Sequence, residues 1–299
     1  MAINPVLFVQ QVFNGLTIGS LYALIAIGYT MVYGILRLIN FAHGDIFMMS
    51  MYFAFFGITV FMVPWYIAML LVVALTALLG MVIERGAYRT LRSAPRISLL
   101  ISAIGVSYLL QNLGTVLFTG IPRKFPDVPL LQDMLMIGQV RLQRLAIVVP
   151  ILMAVLVFLL LLLVHRTKTG MAMRAVSRDM ETAMLMGVNI NKTIAATFGI
   201  GSALAAVGAM LWGLRYPQMT PYVGVMPGLK CFIAAVIGGI GNIKGAVIGG
   251  LLLGMMEIMI VFFLPGLTGY RDAFAFIALI IILLCKPTGL IGEKVAEKV

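Results

Sequence analysis

The chain has 299 residues, of which 62% are hydrophobic and only 10% charged, with a formal net charge of +11; its mean hydropathy is +1.11. Soluble domains carry about 25% charged residues, so a water-soluble globular protein is excluded and an integral membrane protein is indicated. At roughly 20 apolar residues per spanning helix there is room for about eight or nine spans and little else. The apolar runs are continuous, whereas a transmembrane β-barrel alternates.

The positive charge is read as the excess of Lys and Arg that cytoplasmic loops carry, not as a nucleic-acid surface. Cys231 and Cys285 are too few and too far apart in sequence for a disulfide framework. The start, MAINPVLFVQQ, lacks the basic region of a cleaved signal peptide, so the first span is expected to stay.

In chain order, a first span is predicted at 8–33, with Asn14, Gly15, Thr17, Gly19 and Ser20 along it; small residues let helices approach closely. Spans two and three are predicted at 41–62 and 65–83, separated by Pro64. Arg85, Arg89, Arg92 and Arg96 crowd the loop that follows. That density places it on the cytoplasmic side and the amino terminus outside. A fourth span, 97–119, carries Ser102, Ser107, Gln111 and Asn112, and loop 120–144 is expected outside. The fifth span, 145–164, is the most apolar stretch, and the sixth, 193–214, is rich in Gly and Ala. Segment 228–240 is too short to span and 238–250 is broken by glycines, which predicts a re-entrant piece before a span at 246–263. The last span is 273–285, with Lys286 and the charged tail of Glu293, Lys294, Glu297 and Lys298 inside. The expected fold is all-α and polytopic, with nine segments or eight spans plus one re-entrant piece. It forms one transmembrane domain over 1–299, with no convincing internal repeat.

The longest charged break is 165–192, HRTKTGMAMRAVSRDMETAMLMGVNINK. Within it Met173, Val176, Met180 and Met184 recur at helical spacing and predict one amphipathic helix over 172–186. Arg174, Arg178, Ser177 and Glu181 lie on its other side, with Arg178 and Glu181 spaced to pair. Gly187 suits a helix end, and Asn189 or Asn191 can cap the next helix. Such a helix either lies in the membrane interface against lipid headgroups or docks on a cytoplasmic partner. Its place between two spans favours docking, since a push on it moves both.

Polar residues inside spans are costly, about 2.5–3.5 kcal/mol for a charge, and are functional candidates by default. Asn40, His43 and Asp45 open the second span; they either cap and line the cytoplasmic helix end or line a translocation path. Glu257, in a glycine-rich span, is either a buried, partnered carboxylate or a path residue. Gln111 and Asn112 either bond between helices or line the path, and Asn14 joins the path candidates.

No G-x-x-x-x-G-K-[ST] loop occurs, and no Gly-Lys dipeptide at all, so the chain cannot cradle ATP phosphates that way. With two histidines and no H-E-x-x-H, G-x-S-x-G or zinc spacing, neither a catalytic residue, a metal site nor a cofactor site is expected.

Glu181-Thr182-Ala183-x-x-x-Gly187 resembles the EAA-x-x-x-G loop of ATP-binding-cassette importer permeases, departing at Thr182 and lacking the later Ile-x-Leu-Pro. Around it, 14–49 (NGLTIGSLYALIAIGYTMVYGILRLINFAHGDIFMM), 174–192 and 238–258 (GGIGNIKGAVIGGLLLGMMEI) resemble, over essentially the whole chain, a permease subunit of branched-chain amino acid importers. The resemblance implies an importer permease fold in the bacterial cytoplasmic membrane and no enzyme activity of its own. It implies a second homologous permease subunit, two cytoplasmic ATP-binding-cassette ATPases and an extracytoplasmic amino-acid-binding protein, with membrane lipid around it. The ATPases would grip 165–192, with Arg174, Arg178, Met180, Glu181, Ala183, Met184 and Gly187 as the coupling residues. The rival readings are a permease of the same kind for another small solute such as urea or an amide, and an ion-coupled secondary transporter.

Overall fold

Helix α1 (Pro5–Leu36) starts where Asn4 accepts a hydrogen bond from the Val6 amide and Pro5 takes the first helical position, both favoured at a helix start. It is buried nearly without a break from Thr17 to Val32, as a helix apolar on all sides must be when it sits at the centre of a bundle. The structure, a computed structural model, describes residues 4–292 apart from 93 and 139. The charged tail from Glu293 to Lys298 therefore lies outside the described residues.

After α1 follow α2 (His43–Phe55), which continues as a π turn to Val60, and α3 (Trp65–Ile83), which winds on to Leu91. Next come α4 (Arg96–Phe118), the short α5 (Pro129–Gln132) and α6 (Leu145–Arg166). The pair α7 (Lys168–Arg178) and α8 (Met180–Leu185) leads to α9 (Ile190–Arg215), α10 (Val225–Gly238), α11 (Ile243–Phe263) and, after a 3-10 turn, α12 (Arg271–Cys285). Two small antiparallel ribbons cover the end opposite α7 and α8: β1 (Arg123–Lys124) with β4 (Gln218–Met219), and β2 (Met134–Ile137) with β3 (Val140–Gln143).

Eight helices among the described residues are long and apolar enough to cross a membrane. Helix α10 is not one of them: its 14 residues rise roughly 21 Å, against a hydrocarbon core of about 30 Å. This matches the alternative of eight spans plus one short segment. Span two differs from expectation. Helix begins at His43, not Phe41, because 37–42 is irregular and buried at Leu38, Asn40 and Ala42. The last span gains the turn Pro265–Tyr270.

The helix contacts form a twofold pattern that the sequence does not advertise. Helix α1 packs on α10 and α11, and α9 packs in the same way on α2 and α3. The equivalent helices touch each other through glycines, α1 with α9 at Gly28 and Gly201, and α2 with α10 at Gly44, Gly224 and Gly228. Since α1 and α9 enter from opposite ends, the relation is an inverted one. It is carried by backbone approach at small residues rather than by matching side chains, so sequence comparison within the chain shows little of it.

The tightest seam joins α1 to α11. A Cβ at Gly254 would lie 2.2 Å from the Gly19 nitrogen, and one at Gly250 would lie 2.5 Å from the Ala23 nitrogen. Gly254→Leu is expected to insert in the membrane but to lose at least about 1–3 kcal/mol of stability through overpacking, read as a lowered melting temperature of the detergent-solubilised protein.

Candidate coupling surface and translocation site

At the α7–α8 end the predicted single helix over 172–186 is two helices. Asp179 is extended, with φ −152° and ψ 112°, and its carboxylate accepts from the Glu181 and Thr182 amides. An aspartate at that point offers the backbone a cap that competes with helix continuation. The break separates Arg178 from Glu181, which form no ion pair with each other.

The apolar stripe is split as well. Met173 and Val176 are buried, on a helix that packs against α1, α6 and α9, so they fasten α7 to the bundle. Ala183 is buried and Met180 half-buried, while Arg174, Arg178, Glu181, Met184 and Gly187 are exposed. At the end of the stripe Met184, and beyond it Leu185 and Met186, are 61%, 84% and 80% exposed. The apolar face offered outward is therefore on α8 and was missed at Leu185 and Met186, whose run with Met184 was the available signal. Gly187 has φ +83°, which suits glycine at a helix end. Asn189 caps α9 by accepting from the Lys192 amide, whereas Asn191 accepts from Arg92 at 2.8 Å. Arg92 is also paired with buried Glu84. Partial burial lowers the Arg92 guanidinium pKa from its ordinary value, and the carboxylate of Glu84 opposes the drop.

The path candidates fall in separate places. Asn14 accepts from Arg215 at 3.1 Å and donates to Gln11 at 3.2 Å. Asn40 does not cap α2 with its side chain; it accepts from the Tyr88 hydroxyl at 2.7 Å. The His43 ring is buried beside Gly28 and packs edge-on against Tyr29 at 4.6 Å. Asn112 faces outward and donates to the Tyr108 carbonyl of its own helix, so it makes no interhelical bond.

Asp45 and Gln111 do come together. The Ser107 hydroxyl donates to Asp45 Oδ2 at 2.5 Å and Gln111 Nε2 to Oδ1 at 3.0 Å, joining α2 to α4. Beside them is a cavity of about 110 Å³ lined also by Tyr29, Phe41, Gly44, Gly224, Gly228 and Leu229. Ser107 and Tyr29 were not among the predicted site residues.

Glu257 is a buried, partnered carboxylate. The Tyr22 hydroxyl donates to it at 2.7 Å, Lys230 pairs with it, and Lys230 also reaches Asp272 at 2.6 Å. Arg271 lies 3.9 Å from Glu257 and 3.7 Å from Asp272. The cluster ties α1, α10, α11 and α12 together. Lys230 was the legible clue, since a lysine within an apolar segment is a candidate for the same reason as Glu257.

Spanning helices, a half-length helix meeting the start of α2 inside the bundle, and an exposed helix pair at one end define a polytopic helical membrane protein. Residues 11–283 match the family described as branched-chain amino acid transport system, permease component, and the chain belongs to that family. It is 43% identical, over 98% of both chains, to the high-affinity branched-chain amino acid transport system permease protein BraD of Pseudomonas aeruginosa. It is 41% identical, again over 98% of both, to the corresponding permease protein LivH of Escherichia coli K12. A probable branched-chain amino acid transport permease protein of Methanocaldococcus jannaschii is 26% identical over 91% of this chain and 89% of its own length. No solved structure gives a significant match.

Breaking the buried cluster from one side leaves Glu257 without its nearest cation. Lys230→Met is expected to cost about 3–5 kcal/mol, and Lys230→Met with Glu257→Leu markedly less than the sum of the single variants. Thermal unfolding of the four-member set, with wild type as reference, measures the coupling.

Proposed function

We propose that the chain is one membrane subunit of an ATP-driven importer of branched-chain amino acids in the bacterial cytoplasmic membrane. Its partners are a second, homologous permease chain, two cytoplasmic ATP-binding-cassette ATPases and an extracytoplasmic amino-acid-binding protein. The observation that carries this reading is the 41–43% identity, along 98% of both chains, to permease proteins named for high-affinity branched-chain amino acid transport. The absence of a phosphate-binding loop from the sequence is consistent with it, since any ATP hydrolysis that drives the chain must then be done by another one.

The whole chain acts as one transmembrane unit. The arginines from Arg85 to Arg96 and the basic residues of α7 put that end in the cytoplasm, and the ribbon-covered end faces the binding protein. The α8 face of Glu181, Met184, Leu185 and Met186 enters a groove on an ATPase, with Arg174 and Arg178 flanking it. Methionine and leucine suit such a groove because their flexible apolar side chains adapt to its walls. Closure of the ATPases on ATP pushes α8. Helix α7, packed on α1, α6 and α9, passes the displacement into the spans on either side. The solute crosses near Asp45 and Gln111, where irregular backbone reaches the interior beside a cavity, the setting in which such backbone is tolerated. Solute moves without covalent chemistry, so no catalytic group is needed.

The deciding experiment reconstitutes the chain with its native associates in vesicles and supplies either ATP inside or an ion gradient alone. Leucine uptake is expected with ATP; uptake on a gradient without any ATPase present would defeat the proposal. Leu185→Asp, Glu181→Lys and Gly187→Trp are each expected to insert normally and to lose ATPase docking, with affinity reduced roughly thirtyfold or more for Leu185→Asp. Co-purification of the ATPases and solute-stimulated hydrolysis report the loss.

A further inference from the structure

Three carboxylates are buried in the described bundle: Asp45 at 2% exposure, Glu84 at 1% and Glu257 at 4%. Glu84 has Arg92, and Glu257 has Lys230 and Arg271. Asp45 has no cation within 4 Å among the described residues; its bonds come from the neutral Ser107 hydroxyl and Gln111 amide. Charges taken out of water are paired in stable structures. Asp45 lies in the first turn of α2, and a helix end compensates less than the burial of a carboxylate costs.

A void also lies beside Asp45. The cavity of about 110 Å³ is bounded by Asp45, Ser107 and Gln111 on one side and by Gly44, Gly224 and Gly228 on another, where the first turns of α2 and α10 meet. It has room for several waters or for the polar head of a small amino acid. Glycines let the two helix starts meet at its edge, since a Cβ at Gly224 would lie 1.9 Å from the Gly44 carbonyl oxygen. Phe41, Val225 and Leu229, none of them fully buried, form an apolar rim. An unneutralised carboxylate beside two helix amino termini is the charge pattern complementary to a zwitterion, with an apolar rim for an apolar side chain.

We propose that the cavity between α2, α4 and α10 is a stopping site for the amino acid in transit, its α-ammonium set against Asp45 and its α-carboxylate toward the first turn of α10. This rests on the transport reading above. The ammonium supplies the missing cation, so the site is charge-balanced only when occupied. Ser107 and Gln111 hold the carboxylate in place and are positioning residues.

ATP-driven uptake of radiolabelled leucine by vesicles carrying the complete importer tests it. Asp45→Asn, which keeps the size and loses the charge, is expected to lower uptake on the order of tenfold or more while the subunits still co-purify, and Asp45→Glu is expected to retain part of it. Wild-type uptake that Asp45→Asn leaves unchanged overturns the subsite alone; no leucine uptake by wild type removes both readings. Should Asp45→Asn fail to assemble, Leu229→Trp, which narrows the cavity from its rim without touching the carboxylate, decides: loss of uptake in an intact complex supports the site, and undiminished uptake overturns it.

Discussion

Backbone amides and carbonyls inside a bilayer cannot be left to lipid, and the whole fold answers to that constraint. Two stretches break the helical solution, 37–42 before α2 and 216–224 before α10. Each is buried in part, at Leu38, Asn40 and Ala42 in the first and at Met219 in the second, because packed neighbours cover it, Tyr88 and Phe232 over the first and α2 over the second. The cover holds because the chains approach at backbone distance through Gly44, Gly224 and Gly228. The central placement of α1 and α9, and the inverted pairing of α1 with α10 and α11 and of α9 with α2 and α3, follow from enclosing those two breaks.

Charge is then distributed around the enclosed centre for two purposes. Glu84 with Arg92, and Glu257 with Lys230, Arg271 and Asp272, fasten elements together. The second set matters most for α12, whose only fully buried residue is Ala275 and which has little apolar packing to hold it to the bundle. Buried ion pairs add little net stability over well-packed apolar residues, but removing one partner is expensive, so such a cluster specifies geometry more than it adds free energy. Asp45 stands apart. Its partners are neutral and a cavity adjoins it, and on those two observations the proposed transit site rests.

The opposite requirement governs the end with α7 and α8. There an apolar face is left in the open at Met184, Leu185 and Met186, and Asp179 turns it away from the bundle by ending α7 and starting α8. Helix α7 is the anchored half and α8 the presented half. Of the three exposed residues, only Met184 belongs to the helical stripe that packs inward at Met173 and Val176.

Much was legible in the sequence. The spans, the short segment before the last two helices, the glycine at 187 and the cap at Asn189 are local properties, set by run length, hydropathy, φ > 0 at a helix end and side-chain capping. So was the family, through motifs spread along the chain. Which polar groups meet was not. Asp45 and Gln111 are 66 positions apart, Lys230 and Glu257 are 27 apart, and helical periodicity reports a face but not the neighbour across it. The kink at Asp179 was hidden because a capping aspartate and a mid-helix aspartate read alike until the chain's direction is known. Composition and run length thus determined that this protein is a helical membrane protein, and its resemblance to a known family, carried by motifs along the chain, identified the permease. Only tertiary packing decided that one buried carboxylate would be left without a cation beside an open space, because that depends on backbones brought together from opposite ends of the bundle.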